Sequence, residues 1–96
     1  MPVTLRLYIM GSSPRSLRAT EAVERLQATL PRDYCGVEVV DLEQNPEAAE
    51  RDKVIAVPTL IRVSPDPQRR VVGELSDLET VLNRLDIVSP HSGSDV

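Results

Sequence analysis

Apolar and polar residues alternate from Val3 to Met10. Val3, Leu5, Leu7 and Ile9 occupy one phase, and Thr4, Arg6, Tyr8 and Met10 the other. A period of two predicts a strand, and its apolar neighbours place it in the middle of a sheet rather than at an edge. Gly11-Ser12-Ser13-Pro14 ends the alternation. Gly11 lets the backbone turn, Ser13 suits a helix cap, and Pro14 suits the first helical position, where its missing N–H would have no partner in any case. The period then changes. Ala19, Ala22, Val23, Leu26 and Leu30 recur at helical spacing and make one apolar stripe, while Arg15, Arg18, Glu21, Glu24 and Arg25 lie mostly off it. Pro31 marks the end of this helix.

The second half repeats the theme with shorter elements. Val37-Glu38-Val39-Val40-Asp41-Leu42 is rich in β-branched residues and predicts a second strand. Asn45-Pro46 repeats the cap-then-proline signature and predicts a short helix from Glu47 to Lys53, acidic at its start and basic at its end, as the helix dipole favours. Val57-Pro58 opens a third strand, Thr59 to Val63. Ser64-Pro65-Asp66-Pro67 is a turn, and Arg69-Arg70-Val71-Val72-Gly73 returns as a hairpin partner. Ser76-Asp77-Leu78-Glu79 reads as a capping box before a last helix with Leu78, Val81, Leu82 and Leu85 on one face. From Ser89 the residues are small, polar or proline, so a single domain over 1–88 and a disordered tail over 89–96 are expected.

The resulting order is α/β, βαβαββα. The helical crossover makes the first two strands parallel, and the hairpin makes the last two antiparallel. This is a thioredoxin-like arrangement. It puts Pro58 where that fold carries a cis-proline, facing the loop between the first strand and the first helix.

Composition narrows the class. The 96 residues suffice for one domain, and a hydrophobic share of 41% excludes wholesale disorder. Tyr8 and Tyr34 are the only aromatic residues, so the core must be mainly aliphatic. The net charge of -4 disfavours a general binder of nucleic acid or anionic membrane. No apolar run is long enough to span a bilayer, and the first residues lack the pattern of a signal peptide. A cytoplasmic protein is expected.

Candidate chemistry is sparse. Thiol exchange needs a thiolate at a helix N-terminus, but the loop Gly11-Ser12-Ser13-Pro14-Arg15-Ser16 has no cysteine. Cys35, the only one, falls just before the second strand and reads as a buried small residue. Ser12, Ser13 and Ser16 lack an adjacent base and are better explained by capping. One histidine and one cysteine far apart make no metal ligand set, and no cofactor is expected. The basic residues Arg18, Lys53, Arg62, Arg69 and Arg70 stand out as exposed charges in an acidic chain. Any one of them alone reads as a solvated face. Together, on a scaffold without a redox thiol, they suggest docking to an acidic protein surface.

Three ordered blocks then resemble one family. They are Leu5-Arg6-Leu7-Tyr8-Ile9-Met10-Gly11-Ser12-Ser13-Pro14-Arg15-Ser16; Val40-Asp41-Leu42-Glu43-Gln44-Asn45-Pro46 with Ala49 to Leu60; and Arg69-Arg70-Val71-Val72-Gly73-Glu74-Leu75-Ser76-Asp77. The chain resembles the circadian clock protein KaiB family across nearly all of Leu5 to Leu85. The resemblance implies a non-enzymatic clock component that binds the N-terminal ATPase ring of a KaiC-type protein and, in cyanobacteria, captures KaiA and displaces the sensor kinase SasA; a less acidic tail than in cyanobacterial relatives leaves a clock without KaiA open. It also implies a metamorphic chain: a thioredoxin-like monomer that binds the ring, and a tetramer or dimer in which the C-terminal half is rearranged. Arg18, Lys53, Arg62, Arg69 and Arg70 match basic positions associated with partner binding, and Pro58, Arg84 and Asp86 belong to the part that refolds. The family usually has glycine where this chain has Arg84. Glycine inside a helix costs about 1 kcal/mol relative to alanine, so Arg84 should firm the last helix and favour the thioredoxin-like state. The competing expectations are a redox or glutathione-using thioredoxin-like protein, and a stand-alone relative of the SasA sensor domain.

Overall fold

In the computed structural model, residues 2–73 and 75–87 are described. The elements are β1 (Val3–Ile9), α1 (Pro14–Ala28), β2 (Cys35–Asp41), α2 (Glu47–Arg51), β3 (Thr59–Ser64), β4 (Arg69–Val72) and α3 (Leu78–Arg84). The four strands form one sheet in the order β2-β1-β3-β4. β1 pairs parallel with β2 and antiparallel with β3, and β3 pairs antiparallel with β4. β1 is therefore central, as its apolar neighbours required, and the thioredoxin-like order is present. The domain limit expected at residue 88 and the disordered tail expected over 89–96 lie outside the described residues.

The alternation of β1 divides the interior in two. Val3, Leu5 and Leu7 face α1 and α3 and pack with Ala19, Val23, Leu26, Leu60, Val71, Val81 and Leu85. Tyr8 faces the other way and packs with Val40, Leu42, Ala48, Val54 and Ile61 under α2. Full burial of an aliphatic side chain contributes about 1.5–3 kcal/mol, so the first and larger cluster carries most of the stability. The five-residue α2 covers only part of the second face, and the rest of that face is open.

The end of the sheet where β1 finishes is tied down by polar contacts. Gly11 turns with φ +60, and a Cβ there would fall 2.5 Å from a Glu43 carboxylate oxygen. Asp41 Oδ1 accepts from the Gly11 and Glu43 N–H groups, each at 2.9 Å. Ser13 caps α1 by accepting from the Ser16 N–H at 3.3 Å. The buried Ser16 hydroxyl accepts from the Met10 N–H at 3.0 Å and from Ser13 Oγ, and it donates to the Met10 carbonyl. These hydroxyls are committed to structure, as the capping argument expected. The Val57–Pro58 peptide is cis.

Three expectations shift at helix ends. The capping box at Ser76 does not form. Asp77 is the cap instead, accepting from the Thr80 N–H at 3.3 Å and from the Thr80 hydroxyl at 2.8 Å. Asn45 makes no side-chain cap, and Pro46 precedes α2 in helical geometry. Lys53 lies beyond α2 rather than inside it. It has φ 57, with its N–H donating to the Glu50 carbonyl and the Val54 N–H to the Ala49 carbonyl. Asp86 repeats this arrangement after α3, with φ 56. Both helices thus end in Schellman turns whose left-handed position, usually glycine, carries a charged residue.

Candidate functional site

The open part of the second sheet face is a cleft of about 310 Å3 lined by Arg6, Tyr8, Arg51, Asp52, Lys53, Ile61, Val63, Gln68 and Arg70. Its residues reach it from three elements for simple reasons. Arg6 and Tyr8 share the phase of β1 opposite to Leu5 and Leu7. Arg70 pairs with Ile61, which pairs with Arg6, so β4, β3 and β1 contribute side by side. Arg51, Asp52 and Lys53 are the end of α2 and its turn.

Asp52 organises the cleft. Its carboxylate accepts from the Tyr8 hydroxyl at 2.5 Å and from Arg51 at 3.1–3.2 Å, and Arg6 lies 3.9 Å away. Arg51 and the tyrosine hydroxyl hold the Asp52 carboxyl below its ordinary pKa. Burial, followed by the Asp52 hydrogen bond, raises that of Tyr8. Arg6 also donates to Glu38 at 2.7 Å. Arg70 donates to the Lys53 and Asp52 carbonyls at 3.0 and 3.2 Å, which ties β4 to the turn after α2. The lining holds four cations and one carboxylate, in a chain whose net charge is -4. Guanidinium groups set in this way suit carboxylates or phosphates on a partner.

The five basic residues singled out in the sequence do not form one patch. Lys53 and Arg70 meet in the cleft. Arg18 is exposed on α1, in a separate cleft of about 60 Å3 with Arg15, Ala19, Pro58, Gly73 and Leu75. Arg69 is exposed on β4 and pairs with Arg62, on the sheet face opposite to Arg70. Arg62 is not exposed, contrary to expectation. It is 4% exposed on the face of Leu5 and Leu60, and it donates to the Asp86 carbonyl at 3.1 Å and the Pro67 carbonyl at 2.7 Å. It braces the C-terminal half and presents no charge to solvent. Pro58 is buried, Arg84 is the exposed last residue of α3, and Asp86 is exposed just beyond it. Arg6, Arg51 and Asp52 were missed by the sequence reading.

Cys35 is buried at the start of β2, opposite Val3, so it sits at the far end of the sheet from the N-terminus of α1. Burial raises its thiol pKa, the reverse of what a redox nucleophile needs. Among the described residues no cluster of His, Cys, Asp and Glu is placed to hold a metal, and no helix is long and apolar enough to cross a membrane.

The KaiB domain family matches residues 6–87. The chain belongs to the KaiB family. It is 42% identical over 84 residues to the circadian clock oscillator protein KaiB of Parasynechococcus marenigrum (strain WH8102), covering 88% of this chain and 81% of that one. It is also 42% identical over 87 residues to KaiB of Gloeothece citriformis (strain PCC 7424), covering 88% and 79%. Solved structures share the fold. The N-terminal domain of Synechococcus elongatus SasA superposes with a TM-score of 0.71 at 19% identity, over 90% of this chain and 85% of that domain. Oxidised thioredoxin O2 of Arabidopsis thaliana gives 0.71 at 18%, over 86% and 74%. The chain thus combines a KaiB-family sequence with a thioredoxin-like fold.

Proposed function

We propose that this KaiB-family chain is a non-enzymatic, cytoplasmic timing regulator. In its thioredoxin-like, monomeric state it docks on the N-terminal ATPase ring of a KaiC-type protein and controls that protein's phosphorylation cycle, competing with a SasA-like kinase and, where one is present, engaging KaiA. The observation that carries the reading is the cleft in which Arg6, Arg51, Lys53 and Arg70 surround one carboxylate. Such a concentration of cations on a net-acidic chain favours an acidic partner surface. Arg18 and Arg69 lie outside this cleft and are proposed as separate contacts on other faces. The test is retention on an immobilised KaiC-type ring with ATP analogue or ADP bound. Retention is expected in one nucleotide state, weakening as salt rises, and Arg70→Glu should weaken it at least tenfold. No retention in any nucleotide state would sink the reading.

Fold switching to a tetramer or dimer belongs to the same proposal. Arg84 closes α3 one residue before the turn that ends at Asp86 and Ile87. Replacing it with glycine removes helix propensity worth about 1 kcal/mol from the thioredoxin-like state alone. Arg84→Gly is therefore expected to raise the tetramer fraction seen by light scattering or native mass spectrometry. An unchanged oligomer distribution would count against this role.

The likeness to the SasA domain supports a second reading, a stand-alone ring-binding domain that stays thioredoxin-like. Slow exchange between two folded species in solution would exclude it.

A further inference from the structure

Ile55 is 96% exposed, whereas Met10, Leu17, Val39 and Val72 are 43–54% exposed. A half-exposed aliphatic side chain is ordinary surface. An isoleucine almost wholly in water, on a segment fixed at both ends, is not accounted for by packing. On one side Val54 is buried in the cluster around Tyr8, and its N–H donates to the Ala49 carbonyl at 2.8 Å. On the other, Thr59 Oγ1 donates to the Ala56 carbonyl at 2.6 Å, and the Gly73 N–H donates to the carbonyl of the buried Pro58 at 2.9 Å. The loop is held by its neighbours, and the Ile55 side chain contributes nothing to holding it. A side chain presented in this way binds without a further cost of ordering its loop.

The surroundings say what would cover it. Lys53 lies two residues before Ile55 and Arg51 four, within about 14 Å along the chain, and Arg70 is hydrogen-bonded to the Lys53 carbonyl. Ile55 therefore follows within a few residues of two cations that line the basic cleft. Val72, paired with Thr59, is a second exposed apolar residue at the same end of the sheet. The geometry points to Ile55 as the apolar anchor of the docking surface, seated in an aliphatic socket ringed by carboxylates on the partner. This rests on the docking reading above and names the chemistry of the surface that meets it: a small apolar pocket, with Asp or Glu placed to meet Lys53, Arg51 and Arg70.

The test measures the affinity of the full chain for the KaiC-type ring in the nucleotide state that retains it. Ile55→Ala is expected to weaken binding about tenfold and Ile55→Asp at least 30-fold, while Ile55→Leu stays within about threefold. Thermal midpoints should match the parent, since the side chain packs against nothing. Binding of Ile55→Asp equal to the parent, with Arg70→Glu still impaired, would overturn the anchor and leave the docking reading standing. Absence of ring binding by the parent chain would overturn both. If Ile55→Asp instead abolished self-association of the chain and left ring binding intact, the occupant would be a second copy and the inference would fail.

Discussion

Arg62→Ala is expected to destabilise the thioredoxin-like state by about 2–4 kcal/mol, measured by urea unfolding followed by circular dichroism. Arg62 is 4% exposed, and its guanidinium donates to two main-chain carbonyls, those of Asp86 and Pro67. Truncation leaves both acceptors without this donor, at about 1–3 kcal/mol for each that stays buried and unpaired, and it opens a cavity between the sheet and the end of α3. Arg62→Lys keeps the charge but cannot fork to two carbonyls, and should recover only part of the loss. Arg62→Met fills much of the volume, and its deficit relative to the parent isolates the hydrogen bonds from the packing. Both acceptors belong to the C-terminal half, so the variant should also raise the fraction of any alternative oligomer. A loss below about 1 kcal/mol would show that Arg62 is a surface charge after all.

That Arg62 is buried could have been read from phase. Leu60 and Arg62 lie in one phase of β3, and they pair with Leu7 and Leu5, which face the larger core. A charge was assigned to solvent because charged residues usually are, and the strand's own period argued otherwise. The order of elements, the central position of β1 and the Ser13 cap were legible because each is a local pattern of polarity or cap chemistry. The shift of the α3 cap from Ser76 to Asp77 was not, since both residues are good caps and only the angle at which the chain enters the helix selects one. The cleft was half legible. Lys53 and Arg70 were named, but their meeting depends on the turn after α2 folding back over β4. A buried tyrosine hydroxyl demands a partner, but the alternation of β1 puts Tyr8 in the polar phase and gives no sign of its burial. That the partner is Asp52, 44 positions along the chain, followed from topology that periodicity does not encode.

Asp52 should therefore act on stability and on binding with opposite signs. Asp52→Ala removes the acceptor of the wholly buried Tyr8 hydroxyl and the carboxylate that pairs with Arg51 at 3.1 Å, leaving the cations that line the cleft without it. An orphaned hydroxyl together with like-charge repulsion should cost about 2–3 kcal/mol of folding stability. Tyr8→Phe, which removes only the hydroxyl, should cost about 1 kcal/mol. In the double variant the two losses should not add, because each single change breaks the same bond. The pH dependence follows from the same contacts. The folded-state pKa of Asp52 lies below its unfolded value, first through Arg51 and then through Tyr8. Its contribution is complete above the unfolded carboxylate pKa of about 3.9 and is lost as pH falls through the lower folded value. Tyr8 has the reverse sign: its pKa is raised, chiefly by burial, so its contribution is complete below about 10 and is lost as pH climbs through the folded value. Asp52→Asn should flatten the acid limb and reduce the alkaline one, which burial of Tyr8 still maintains in part. Among the described residues the same substitution removes the only negative charge lining the cleft, so an acidic partner should bind more tightly even as the fold weakens. A variant that lost stability and affinity together would show that Asp52 serves the cleft only by holding its shape, and that its charge does not oppose the partner's.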